Sequence, residues 1–170
     1  MPSLIVKDWV EVLLSSSEEV LETMFFCSIL RSSSGTEQEE TVSAKLRFEG
    51  IPSGTFTICA STGAAREMSA TFLGIEPDQV TENQLDQVVG ELANMVCGNA
   101  MSRAALGKTL SLTHPEIFRT ASSFSFQSAI NIRLEIEKGL FEAFIEFDSV
   151  SSVQYPTGKK ARAIQKHGLV

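Results

Sequence analysis

The sequence contains little of what metal sites, disulfide frameworks and nucleic-acid surfaces require. The chain has an odd number of cysteines, Cys27, Cys59 and Cys97, which lie far apart and form no C-x-x-C pair. This pattern argues against disulfides and a structural zinc site. The two histidines, His114 and His167, complete a poor set of metal ligands. Positive charge is also scarce. With 14 Lys and Arg against 21 Asp and Glu, the net charge of −7 disfavours broad binding of nucleic acid or anionic membranes.

Long apolar stretches are absent as well. No apolar run approaches the ~20 residues that span a bilayer. The opening MPSLIVKDWVEVLL carries charged residues close together and lacks the small-residue cleavage site of a signal peptide. These features predict a reduced, cytoplasmic protein without membrane insertion. At 170 residues and 43% apolar content, the chain is long enough for one domain with its own core, and a protein partner or small ligand suits its charge.

The C-terminal end differs from the rest in composition. We expect residues 1–150 to form a single domain and residues 151–170 a basic, flexible tail. The tail has four basic residues and no acidic one. It is either a frayed, solvated end or a docking arm for an acidic partner.

The spacing of apolar residues predicts an α+β fold. The predicted helices are 8–30, 62–73 and 82–106, and the predicted strands are a hairpin over 42–61, then 108–113, 124–136 and 140–147, with a polar loop at 31–41. Local signals refine these bounds. Thr81 and Gln84 are spaced as a capping box, and Gly74 and Gly107 suit helix ends. The run of serines at 15–17 is expected to kink or interrupt the first helix.

Two long helices packed on an antiparallel sheet would bury both amphipathic stripes. The predicted elements follow an order in which a unit of helix and then strands broadly occurs twice. The segment EEVLETMFF of the first helix can be laid over GELANMVCG of the long helix. This overlay predicts a weak internal pseudo-repeat.

One face of the long helix carries residues that a solvated helix seldom uses. At ~100° per residue, the apolar stripe centres on Leu92. Glu91 and Asn94 lie together away from that stripe, and Gln87, Gly90 and Gly98 lie beside them. Glycine costs ~1 kcal/mol relative to alanine inside a helix, and a face with two glycines lets another backbone approach closely. We therefore predict a contact surface, with an ordinary solvated face as the alternative.

Asn99 differs from this group. On the same helical wheel it lies near the centre of the apolar stripe, where a partner could not reach it. We expect it to be a structural residue with a buried amide that is hydrogen-bonded to backbone.

The segment ELANMVCGNA resembles the E-x-x-N-x-x-x-G-N signature of the CheX branch of the CheC/CheX/FliY phosphatases. Glu91, Asn94, Gly98 and Asn99 are the residues that match. SSSEEVLETMFF is similar to the first helix of such domains, and LSLTHPEIF to their strand ending at a proline. The resemblance covers roughly residues 8 to 148.

This resemblance implies a CheC/CheX-like fold, a homodimer, and a phosphatase that acts on the aspartyl phosphate of a CheY-like response regulator in two-component signalling. It implies that Asn94 orients the attacking water and that Glu91 pairs with a lysine of the receiver. The protein would need no cofactor of its own, because the receiver supplies Mg²⁺. Gln87, Gly90 and Gly98 would contact the partner.

The match has limits that shape the prediction. CheC proteins have Asp or Ser where this chain has Gln87, so the longer CheC motif is not met. In the first helix, Val20 and Thr23 take the places of Glu91 and Asn94, which predicts one site per chain. His114, just before a proline, is expected to be a turn residue rather than a base. The alternatives are a non-catalytic module that binds a phosphorylated receiver or a flagellar-switch complex, and a dimeric scaffold.

Overall fold

A computed structural model describes residues 2–30, 39–50, 52–104, 110–121 and 130–148, with side chains from residue 8 onward. Most of the predicted loop at 31–41, the predicted helix end at Gly107, the first part of the predicted strand 124–136 and the basic tail lie outside the described residues.

Three helices pack on a sheet of seven strands in the part of the chain that is described. The helices are α1 (Pro2–Met24), α2 (Thr62–Leu73) and α3 (Glu82–Arg103), and a 3₁₀ turn (Pro77–Gln79) precedes α3. The strands are β1 (Ile29–Leu30), β2 (Thr41–Glu49), β3 (Gly54–Ser61), β4 (Ser111–Leu112), β5 (Glu116–Thr120), β6 (Ile130–Ile136) and β7 (Gly139–Phe147).

The strands of the described sheet lie in the order β1, β6, β7, β3, β2, and each neighbouring pair is antiparallel. Both β4 and β5 then pair with the remaining edge of β2. This arrangement confirms the predicted α+β class. Helices α1 and α3 have 23 and 22 residues and α2 has 12.

The core forms because alternate residues of the central strands are apolar. Ala44 of β2 lies opposite Ile58 of β3, which lies opposite Ala143 of β7, and all three are fully buried. Leu13 of α1 and Leu92 of α3 belong to the same buried cluster. Burial of each of the larger apolar side chains in this cluster stabilises the folded state by roughly 1.5–3 kcal/mol.

Several local signals are confirmed. The hairpin forms from β2 and β3, α2 ends at Gly74 in the left-handed conformation, and Thr81 and Gln84 form the capping box of α3. The polar loop prediction fails at its last residue, because Thr41 is already in β2.

The prediction for the first helix needs correction. Helix α1 begins at Pro2, ends at Met24 and runs unbroken through the serines, of which Ser16 and Ser17 are fully buried. It stops because Phe26 has a positive φ of 49°, a left-handed conformation that cannot continue a right-handed helix. Residues beyond it form β1 instead.

Strand β5 was not predicted from the sequence. Ile117 and Arg119 lie opposite Ala44 and Val42, on the face of the sheet that meets α3. Arg119 makes ion pairs with carboxylates of α3 there. A charged residue on the inward face breaks the apolar alternation that reveals a strand.

Candidate functional site

Helix α3 is anchored so that one of its faces stays open. Leu85, Leu92 and Val96 are fully buried, and the helix lies against β2, β3 and β5. The capping box fixes its first turn, where Thr81 Oγ1 accepts a hydrogen bond from the backbone N–H of Gln84 at 3.2 Å. The predicted contact residues therefore sit on a rigid element.

Glu91 and Asn94 lie one turn apart on the open face. The Glu91 side chain is exposed and Asn94 is half-buried. Residues three apart on a helix have Cβ atoms roughly 5–6 Å from one another. Within the described ranges, neither side chain makes a hydrogen bond or an ion pair. Both polar groups are thus available to a partner.

A groove of about 390 Å³ brings these two residues together with a second segment of the chain. Its α3 wall consists of Asn83, Asp86, Gln87, Gly90, Glu91 and Asn94, and its other wall of His114, Pro115 and Ile117. Of the predicted partner-binding residues, the groove includes Gln87 and Gly90 but not Gly98.

The acidic residues of α3 are not equivalent. Glu82 is bound by Arg66 at 2.5 Å and by Arg119 at 2.9 Å, and Asp86 is bound by Arg119 at 2.6 Å. The hydrogen bond from Arg66 is the main reason why the pKa of Glu82 lies below its ordinary value. Glu91 alone of these three carboxylates has no cationic partner among the described residues.

The two glycines have different surroundings, which corrects one prediction. Gly90 is buried rather than on the outer surface, because Pro115 and Ile117 pack over it. The atoms that cover Gly90 belong to this chain's own strand segment, not to a partner. Gly98 faces open space, with nothing within 4 Å of the position of a Cβ atom. Its role in partner contact remains a prediction.

The expectation for Asn99 was wrong in its details. The residue is half-buried and bonded to side chains, not to backbone. Its amide donates to Glu19 Oε2 at 3.3 Å, and its carbonyl oxygen accepts from Arg103 Nε at 2.7 Å. Arg103 also pairs with Glu19, and this contact is the main cause of the lowered pKa of Glu19. Asn99 lies where α3 meets α1, so it links the two helices instead of facing the sheet.

His114 belongs to the groove, although its position before a proline predicts only a turn residue. It lies in the connection between β4 and β5, which fits the predicted turn, yet its exposed side chain lines the groove. No local pattern signals this position, because the pairing of β5 with β2 brings it beside α3.

The remaining candidates for chemistry are placed in the core. All three cysteines are free and buried, and burial raises the pKa of the Cys59 thiol to about 11 and that of Cys97 to about 12. No group of three or more His, Cys, Asp or Glu residues that could hold a metal ion occurs in the described ranges. No described helix is long and apolar enough to cross a membrane.

The family model described as "Chemotaxis phosphatase CheX" matches residues 42–129, just over half of the 170-residue chain. This span includes both walls of the groove. The chain belongs to the CheX family of chemotaxis phosphatases. No curated protein matches the chain.

Solved structures of CheX proteins share the fold. The CheX protein of Vibrio vulnificus is 22% identical, with a TM-score of 0.64, and the match covers 82% of this chain and 96% of that one. For CheX of Desulfovibrio desulfuricans the values are 18%, 0.65, 83% and 99%. A CheX-CheY-BeF3-Mg²⁺ complex from Borrelia burgdorferi is 16% identical, with a TM-score of 0.62, over 83% of this chain and 98% of that one.

Proposed function

We propose that the protein dephosphorylates the aspartyl phosphate of a CheY-like response regulator in a two-component chemotaxis pathway in the cytoplasm. The observation that carries this proposal is the pair Glu91 and Asn94. Both are unpaired within the described ranges, lie one turn apart on α3 and open into one groove. Membership of a chemotaxis phosphatase family supports the choice of substrate.

The reaction needs little from the protein. A water oxygen forms a bond to phosphorus while the bond between phosphorus and the aspartyl oxygen breaks. The aspartate leaves as a carboxylate, and both protons of the water leave with inorganic phosphate. Because an acyl phosphate is already activated, placing the water in line with phosphorus is the main contribution that remains.

Asn94 is the residue that we assign to this placement. Its amide can accept a hydrogen bond from the water and donate one to the phosphoryl group, and it needs no ionisable group to do so. Its half-buried position on a packed helix limits its motion.

Glu91 is assigned to docking. Asp86 of the same wall and Glu82, one turn before it on α3, are already paired with arginines, whereas Glu91 lacks a cation within the described ranges. A lysine of the receiver would complete the pair and fix the register of docking. Gln87 and Gly98 would add contacts on the same face.

The Mg²⁺ that this reaction uses is assigned to the receiver. In the described residues, this chain offers no cluster of acidic and histidine side chains for it. The CheX-CheY-BeF3-Mg²⁺ complex from Borrelia burgdorferi supports a receiver partner that brings Mg²⁺ with it.

The central test measures phosphate release from a panel of the organism's phosphorylated receivers. We expect wild-type protein to accelerate release from one receiver, and Asn94→Ala to abolish the acceleration while binding is largely retained. Thr23→Ala is the matched control, because Thr23 is the exposed position of α1 that aligns with Asn94. Binding without acceleration by the wild type would favour the non-catalytic module.

A second test concerns Glu91. We expect Glu91→Gln to weaken binding of the receiver and to flatten its dependence on salt, because salt screens an exposed charge pair. Glu22→Gln, which removes an exposed carboxylate of α1, should change neither. Unchanged affinity at every salt concentration would defeat the docking role of Glu91.

The protein is also proposed to form a homodimer. Sedimentation at working concentration should give twice the single-chain mass. A value of 18.5 kDa, the mass of one chain, would contradict this.

A further inference from the structure

The wall of the groove that faces α3 holds one ionisable side chain, that of His114. Its two neighbours are fixed to different parts of the fold. The backbone N–H of Thr113 donates to the carbonyl oxygen of Arg47 at 2.9 Å, and Thr113 Oγ1 accepts from the backbone N–H of Arg47 at 2.9 Å. Pro115 is buried against Gly90 of α3. The backbone of His114 is therefore held in place across the groove from Glu91 and Asn94.

The fold itself makes little use of the imidazole. The His114 side chain is exposed, and within the described residues it takes part in no hydrogen bond or ion pair. Thr113 and Pro115 make the structural contacts of this connection. An exposed, unpaired imidazole on a fixed backbone is free to bind a partner.

The charge of the groove indicates which group it would bind. The other ionisable side chains of the lining are Asp86, which Arg119 neutralises, and Glu91, which has no cation within the described residues. Nearby, Glu116 is exposed on β5 and Glu82 is paired with two arginines. A phosphoryl group entering this groove would meet the charge of Glu91, and His114 is the lining side chain that can carry a positive charge.

We infer that His114 is a specificity-determining residue, whose imidazole N–H donates a hydrogen bond to an oxygen of the phosphoryl group on the receiver. This inference rests on the proposed function, since it assumes that a phosphorylated receiver occupies the groove. It adds a second point of contact, from the wall opposite α3, to the contacts of Glu91 and Asn94. Its consequence is preference for the phosphorylated over the unphosphorylated receiver.

The experiment compares the Kd for two forms of the cognate receiver, one untreated and one treated with Mg²⁺ and beryllofluoride, a stable analogue of aspartyl phosphate. We expect His114→Ala to weaken binding of the treated form about tenfold, the effect of losing one hydrogen bond to a charged group. Binding of the untreated form should stay within about twofold, because that form lacks the phosphoryl oxygens. His114→Gln keeps an N–H donor and should retain most of the preference.

Glu116→Gln is the control in the same segment and should leave both affinities unchanged. Thermal melts of each variant report its folding, and His114→Phe, which keeps a flat ring without an N–H donor, carries the test if the alanine variant does not fold. Equal losses for both receiver forms, or no loss for either, would overturn the inference. A glutamine variant as weak as the alanine variant would also reject a hydrogen-bond role.

Turnover separates this inference from the proposed function. In phosphate release, His114→Ala should raise KM with kcat nearly unchanged. If wild-type protein prefers the treated receiver through His114 but does not accelerate release, the phosphatase proposal fails and the inference stands. If acceleration is normal and His114→Ala changes no affinity, the inference alone fails.

Discussion

Replacing Gly90 by alanine tests how tightly α3 and the strand segment pack. A Cβ atom at this position would lie 3.6 Å from Ile117 Cδ1 and 3.6 Å from Pro115 Cβ, which are ordinary van der Waals distances. The methyl group therefore fits without displacing its neighbours. Alanine also gains about 1 kcal/mol over glycine inside a helix. We expect Gly90→Ala to stabilise the fold by about 1 kcal/mol, despite the burial of the glycine.

Urea and thermal unfolding measure this effect. A gain of about 1 kcal/mol raises Tm by roughly 2–4 °C in a chain of this size. Gly98→Ala is the matched control, because nothing lies within 4 Å of its Cβ position and only helix propensity changes. A Gly90→Ala variant that is less stable than wild type, while Gly98→Ala is more stable, would refute this reasoning and show that Gly90 is required for close packing.

Three other predictions follow from the fold. Gly54→Ala should destabilise the protein by about 3 kcal/mol in urea melts, because its Cβ would lie 2.3 Å from the carbonyl oxygen of Glu146, and wild-type stability would contradict this. The pKa of Glu82 is lowered from 4.5 mainly by the hydrogen bond from Arg66, so the ion pair stabilises the fold above pH 4.5 and this stabilisation is lost as pH falls through the lowered pKa. The free energy of unfolding of Glu82→Gln should therefore differ most from that of wild type near pH 7. An equal difference at pH 3 would contradict this. The buried thiols, whose pKa values are raised by burial, should react slowly with a thiol reagent at pH 8 until urea unfolds the chain, and rapid labelling of the folded protein would disprove their burial.

Local patterns predicted the elements whose signals lie within a few residues. The hairpin follows from alternation, because side chains in a strand point to opposite faces. The bounds of α2 and the start of α3 follow from Gly74 and from the capping box at Thr81, which satisfy backbone groups next to them in the chain. Glu91 and Asn94 could be placed on one open face because helical geometry alone sets their separation.

The tertiary structure decided the features that depend on contacts distant in sequence. The helical wheel placed Gly90 outside and Asn99 inside, since it assumes that one direction is buried along the whole helix. In the fold, α3 contacts the sheet on one side, Pro115 covers Gly90, and Glu19 of α1 lies beside Asn99. Burial therefore changes from turn to turn.

By itself, the sequence determined the α+β class, most of the elements and the Glu91–Asn94 face, because these depend on periodicity and on neighbours along the chain. Only the tertiary structure placed His114 opposite that face, on the other side of the groove. The pairing of β5 with β2 joins segments more than 70 residues apart, as in Thr41 opposite Thr120. No local preference encodes such a pairing, which forms because Ile117 and Arg119 find apolar and acidic partners on α3.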